Sequence, residues 1–409
     1  MTPSTDRPAR RARVVTPVAL AVALSLTVAA CSDDDAPQAP AGTATASSTA
    51  GPDDPTAEPT DDTSAGALDP RDDVVESVTA TVGEPLATGL AAPWGLAQLP
   101  DGDWLVTERD TRAVRVVPAD GSAPDVLTGP GAQELVDGTT GTGEGGLLGV
   151  ALSPSFDDDG LVFFYRTAEE GNEVLSGVLD GTALGELTPI LSGIPAGPTH
   201  DGGRLAFGPD GLLYVATGDS GSTILAQHPD SLAGKILRVA PDGSVPRDNP
   251  VPGSPVWSLG HRNVQGLGWA QDGRMLASEL GQDELDELNL VVSGGNYGWP
   301  AVEGPGGTSQ GFVDPLVTWS TDDASPSGLA VTDEGVYVAA LRGEALLRVP
   351  LAADGVGQPQ VLLDGELGRL RTVVVGADGD LYVLTTNSDG RGDPREGDDR
   401  LVPVTVTED

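Results

Sequence analysis

The chain has a single cysteine, Cys31, in 409 residues, so an intrachain disulfide and any cysteine-built zinc or iron–sulfur site are excluded. Histidine is scarce as well. His200, His228 and His261 are the only three, and a tris-histidine zinc centre would use all of them and leave no base. Lysine occurs once, at Lys235, and Lys plus Arg total 22 against 62 Asp plus Glu. The formal charge of −40 argues against a nucleic-acid or anionic-membrane surface and suits solubility in an exposed compartment. Aromatic content is only 4%, whereas 56 glycines suit many tight hairpins. A nucleophile elbow, a P-loop and an HExxH helix are all missing. The tract GTGEGG at 141–146 fits GxGxxG literally, but the apolar run 147–152 leads into Ser153-Pro154 and not into a helix. It reads as a flexible loop at a cavity rim and not as a dinucleotide site.

The N-terminus has a different character. Arg7, Arg10, Arg11 and Arg13 precede an apolar run over 14–30 that ends in small residues, the layout of a secretory signal. The run is short for a spanning helix and is followed by acids. Val28-Ala29-Ala30-Cys31 resembles a bacterial lipobox, which places a lipid on Cys31; a plain secretory signal with an incidental cysteine is the other reading. Residues 31–73 are rich in Ala, Pro, Thr, Ser and Asp without periodicity, so a disordered tether is expected. The expected organisation is a signal peptide (1–30), a linker (31–73) and a folded domain (74–409). The expected location is the extracellular face of the cytoplasmic membrane, with Cys31 as the only membrane attachment.

Within the folded domain one phrase recurs. PTHDGGRLAFGPDGLLYVATGDSG, from 198 to 221, reads as a polar tip followed by two strands around a Pro-Asp-Gly turn. Similar turns precede DWLVTE, LVFFY, RMLASE, VYVAAL and DLYVLT, which makes about six units at roughly fifty to sixty residues each. No such unit can bury its own apolar face, so the copies pack around a ring. An all-β, six-bladed propeller is predicted, with 401–406 pairing with the N-terminal strand region to close it.

Candidate chemistry sits at loops. His200 lies among hairpin-tip glycines, where a neutral imidazole could act as a base, although a lone histidine is more often structural. The cluster His261-Arg262-Asn263 interrupts an apolar run and is expected at the channel mouth. Arg262, Arg342, Arg369 and Arg371 fall at comparable places in different units. They suit either one cationic pocket for a multiply anionic small molecule or separate surface ion pairs. Gly281-Gln282 with Asp286, Glu287, Asn289 and Tyr297 offers oxygen ligands for calcium, or simply a solvated strand end.

THDGGRLAFGPDGLLYVATGD, LAGKILRV, GHRNVQGLGW, ELGQDELDELNLVVSGGNYGWP and LRTVVVGADGDLYVLTTNSDGRG occur in an order that resembles the soluble glucose/sorbosone dehydrogenase family, the aldose sugar dehydrogenases that use pyrroloquinoline quinone (PQQ). The resemblance runs from about Ala80 to the C-terminus and implies a six-bladed propeller that oxidises an aldose at C1 with PQQ and Ca²⁺. It implies His200 as general base, Arg262 and Asn263 against the quinone, and Arg342, Arg369 and Arg371 on its carboxylates. Gly281 and Gln282 carbonyls would hold the catalytic Ca²⁺, Glu287 and Tyr297 a second one, and Glu144 would face the sugar. Four positions depart from the family pattern: Gln282 replaces a proline, Arg342 a lysine, and Thr199 and Glu144 replace polar residues near the substrate, Glu144 standing where the family has a glutamine. Expected partners are a sugar and an external electron acceptor, with no nucleic acid, in a monomer or a homodimer. The alternative is a binding propeller of the same family that has lost the quinone; a calcium-dependent lactonase propeller would need a ring of inward carboxylates and asparagines that is not apparent.

Overall fold

Four of the six recurring phrases fold as the same turn. At Gly102, Gly211, Gly273 and Gly379 the glycine N–H donates to the carbonyl three residues back, at 2.9 Å in each case. The preceding aspartate accepts the N–H two residues on: Asp103, Leu212, Arg274 and Asp380. Positive φ at the glycine, +74° at Gly211 and +90° at Gly379, is what excludes a side chain there. Each turn joins the innermost strand of a sheet to its neighbour.

The structure, a computed structural model, describes residues 77–353 and 355–408. The expected signal peptide, Cys31 and the 31–73 linker lie outside these residues. Among the described residues no helix is long and apolar enough to cross a membrane. Among the described residues six antiparallel blade sheets follow one another, five of four strands and the second of five, with innermost strands Pro93–Gln98, Leu147–Leu152, Leu205–Phe207, Val264–Trp269, Pro326–Thr332 and Leu370–Val375. These six strands touch in sequence and the last returns to the first, which makes the ring of a six-bladed β-propeller. We number the blades 1 to 6 in that order.

The alternating strand pattern explains the core. Along Leu161–Ala168, Phe163 and Tyr165 pack toward blade 3 while Val162 and Phe164 pack toward blade 1. Both faces of a blade are therefore buried, and the six apolar clusters are slabs between adjacent blades. The N-terminal strand, expected somewhere within 74–90, is Val78–Val82. It pairs antiparallel with Leu401–Glu408, from Val78 opposite Glu408 to Val82 opposite Val404, and so completes blade 6 from both chain ends. The acidic stretch around residue 284 is a turn between strands Met275–Glu279 and Leu285–Val291.

A chain beginning at residue 84 lacks the closing strand and leaves Leu401–Glu408 as an open edge. Against a chain beginning at residue 74, its melting temperature is expected to fall by about 5 °C or more, with aggregation on heating. Equal melting curves would mean that the strand does not close the ring.

Candidate active site

The loops at one end of the ring bring His200 into a demanding conformation. Its φ is +62°, a left-handed geometry costing a non-glycine residue about 1–3 kcal/mol. Two contacts hold it there. The His200 N–H donates to Glu144 Oε2 at 2.8 Å, and its carbonyl accepts from Ser220 N–H at 3.1 Å. Gly218 permits this approach, because a Cβ there would sit 1.9 Å from His200 O.

His200 Nδ1 lies 2.7 Å from Asp219 Oδ1, and Asp219 Oδ2 accepts from Trp299 Nε1 at 2.8 Å. Asp219 is fully buried; burial alone would raise its pKa, but the bonds from His200, Trp299 and Gly221 hold it below the usual range. An ionised carboxylate only accepts, so Nδ1 carries a proton, and in the neutral imidazole Nε2 then keeps its lone pair. Nε2 has no protein partner among the described residues, and the side chain is 17% exposed. Glu144 also accepts from Arg391 at 2.7 Å. Burial pushes its pKa up, but the His200 N–H and Arg391 outweigh this and lower it.

Beside this group lies a recess whose walls include Trp94, Asn263, Gln265, Arg371 and Asp389. Arg369 and Arg371 share one carboxylate, Asp389, at 3.1 and 3.6 Å. Arg371 Nη1 donates to Gln265 Oε1 at 2.8 Å, and burial lowers its pKa to about 9. Arg204, just behind, has its pKa lowered to about 9 by burial and by Arg371. Arg369 and Arg371 thus share one carboxylate, and Arg204 has none. The Nε atoms of Arg262, Arg369 and Arg371 are buried without a partner. Orphaned donors and surplus positive charge fit a multiply anionic ligand.

Arg262 adjoins His200 through its carbonyl, which accepts Asp219 N–H at 2.8 Å. Its guanidinium lies over Trp299 at 5.6 Å and donates to Leu280 O at 3.1 Å. Asn263 Oδ1 accepts Gly202 N–H at 3.1 Å. The turn after Glu279 sends its N–H groups to carboxylates: Gly281 to Asp286, and residues 282–285 all to Glu303 Oε1. The carbonyls of Gly281 and Gln282 accept no hydrogen bond among the described residues, which fits oxygen ligands for a hard cation.

Several expected positions behave differently. His261 is not at the mouth; it is fully buried between Glu279 and Ser258, each at 2.8 Å, and stacks on Tyr297. Arg342 is 60% exposed and pairs with the exposed Asp322 at 2.7 Å. Glu287 and Tyr297 share a small recess with Gly281, but their polar atoms are engaged. The Tyr297 hydroxyl donates to Leu290 O, and Glu287 accepts from Gly304 N–H and Asn289. Burial and Glu279 push Glu287 up to about 7. No group of three or more His, Cys, Asp or Glu is placed to hold a metal among the described residues. Asp219, Trp299, Trp94, Gln265, Asp389 and Arg391 were not anticipated; the polar end of the apolar strand in LYVATGD was the only signal for Asp219.

Asp201, next to His200, is 2% exposed, accepts from Asn172 and Gly197 through Oδ1, and leaves Oδ2 unpartnered. Burial raises its pKa to about 6. A carboxyl raised on folding stabilises below its unfolded pKa and loses that contribution as pH rises through about 6. Asp201→Asn should therefore be more stable than wild type by about 1–3 kcal/mol at pH 7.5, with the difference vanishing near pH 4. Denaturant unfolding at both pH values checks this, and a pH-independent difference would contradict it.

With this geometry established, comparison with known proteins is informative. The family Glucose / Sorbosone dehydrogenase matches residues 90–392. The PQQ-bound aldose sugar dehydrogenase of Streptomyces coelicolor superposes with a TM-score of 0.78 and 48% identity, over 81% of this chain and 99% of that one. Aldose sugar dehydrogenase YliI of Escherichia coli is 30% identical over 76% of this chain and 92% of its own. Quinoprotein glucose dehydrogenase B of Acinetobacter calcoaceticus is 34% identical over 54% of this chain and 52% of its own. Matched along most of its folded part by sequence and by fold, the chain belongs to the glucose/sorbosone dehydrogenase family.

Proposed function

We propose that the protein is a quinoprotein aldose dehydrogenase that oxidises C1 of an aldose to the lactone with PQQ and Ca²⁺. The observation that carries this reading is the pairing of a positively charged recess, with more guanidinium than carboxylate, and a histidine whose Nε2 is free. The tricarboxylate PQQ suits that surplus, with Arg369, Arg371 and Asn263 as its holders and the carbonyls of Gly281 and Gln282 as cation ligands. When bound, the quinone supplies a two-electron hydride acceptor and Ca²⁺ supplies Lewis acidity.

The chain's own residues do the rest. His200 Nε2 takes the proton of the C1 hydroxyl as the C1–H bonding pair departs as hydride and the C1=O bond forms. Asp219 fixes the imidazole orientation and stabilises the imidazolium that results, and Trp299 fixes Asp219. Arg262 is a fixed cation where negative charge develops. Glu144 borders both His200 and the recess, the place for a sugar hydroxyl.

Reconstitution of the purified domain with PQQ and Ca²⁺, followed by dye reduction with a panel of aldoses, tests this. Turnover is expected in wild type; His200→Ala should bind quinone but lose about 10²–10⁴-fold in kcat. Undiminished turnover in the variant removes His200 from the mechanism, and absence of quinone uptake by wild type favours the binding propeller.

We also propose export and lipid anchoring at Cys31, supported by the arginine-rich start, the apolar run 14–30 and the Val28-Ala29-Ala30-Cys31 sequence. Cys31→Ser should shift the protein from the membrane fraction to the soluble one, and an unchanged distribution would contradict anchoring.

A further inference from the structure

Arg204 belongs to none of the roles above. It precedes the short inner strand of blade 3, and its side chain crosses the axis. Nε donates to Gln265 O at 2.6 Å in blade 4, and Nη2 donates to Thr372 Oγ1 at 2.9 Å in blade 6. The guanidinium lies 4.3 Å over the Trp94 ring of blade 1. A Cβ on Gly328 of blade 5 would sit 3.0 Å from Nη2, so the glycine leaves room for it. Arg204 is 8% exposed, no carboxylate pairs with it, and the charge acting on it is that of Arg371.

Such a placement opposes folding. A buried cation needs a counter-ion, and 62 acids were available to supply one. None stands there. Trp94 and Gln265, which Arg204 braces from behind, both line the recess, as does Arg371. The open side of that wall is the recess, the place where a compensating negative charge can come.

We propose that Arg204 is a positioning residue for a polyanionic ligand of the axial recess: it holds Trp94 and Gln265, the latter in turn bonded to Arg371, toward the ligand and adds a positive charge one layer behind them. The inference rests on the quinone reading for the identity of the ligand. It differs from a structural role in sign, because a cation placed for a ligand weakens the empty protein and strengthens the complex.

The test uses apo-protein of wild type, Arg204→Met and Arg204→Lys, titrated with PQQ in the presence of Ca²⁺ and followed by quinone absorbance, with thermal melting of each apo form. Arg204→Met is expected to bind PQQ about tenfold or more weakly, and Arg204→Lys within about threefold of wild type, as one charge several ångströms away requires. Apo Arg204→Met should melt no lower than wild type, because a buried unpaired charge has been removed. Equal affinity of the methionine variant and wild type, a lysine variant weakened as much as the methionine one, or a fall in the apo melting temperature would each overturn the inference. Failure of wild type itself to take up PQQ would instead remove the quinone reading; the melting comparison and a titration with a benzene tricarboxylate then decide Arg204.

Discussion

A buried cation without a counter-ion is tolerated only where something else repays it, and the axis of this propeller collects such cations. Arg369 and Arg371 of blade 6 share one carboxylate, Asp389, while Arg204 of blade 3 is held by Gln265 and Thr372 with no carboxylate at all. In a chain of net charge −40 the surplus is not compositional; it comes from where the strands end. The rest of the site is arranged around that local reversal of sign.

Ring closure makes the reversal durable. Slabs of apolar side chains between blades set the spacing of the inner strands, and pairing of Val78–Val82 with Leu401–Glu408 locks the circuit. On that frame Asp219, from the loop after the second strand of blade 3, meets His200 from the loop before its first and Trp299 from a loop within blade 4. The left-handed backbone at His200 is held by Glu144 from a third blade's edge. Strain, burial and charge are thus stored at one end of a rigid ring, which is the arrangement expected of a preorganised reaction site.

Much of the fold was legible in the sequence because its signals are local. Asp-Gly turns, alternation and repeat spacing read directly as six blades, and the C-terminal apolar run read correctly as the closing partner. The site was legible only in part. His200, Arg262, Arg369 and Arg371 stood out by type and by resemblance, yet His261, in the same polar cluster as Arg262, is sealed by Glu279 and Ser258. Arg342 faces solvent with Asp322, a matter of side-chain direction that residue spacing does not carry. Arg204 passed unnoticed because one arginine at the head of a hairpin strand looks like an ordinary edge charge; its isolation from every acid exists only in three dimensions.

The most direct measurement is a crystal structure of the domain grown with PQQ and Ca²⁺. Quinone carboxylates on Arg369 and Arg371, with His200 Nε2 facing the open side of the recess, are the expected result. A quinone seated elsewhere, or arginines turned outward onto surface acids with the recess closed, would contradict the charge-surplus account of the site.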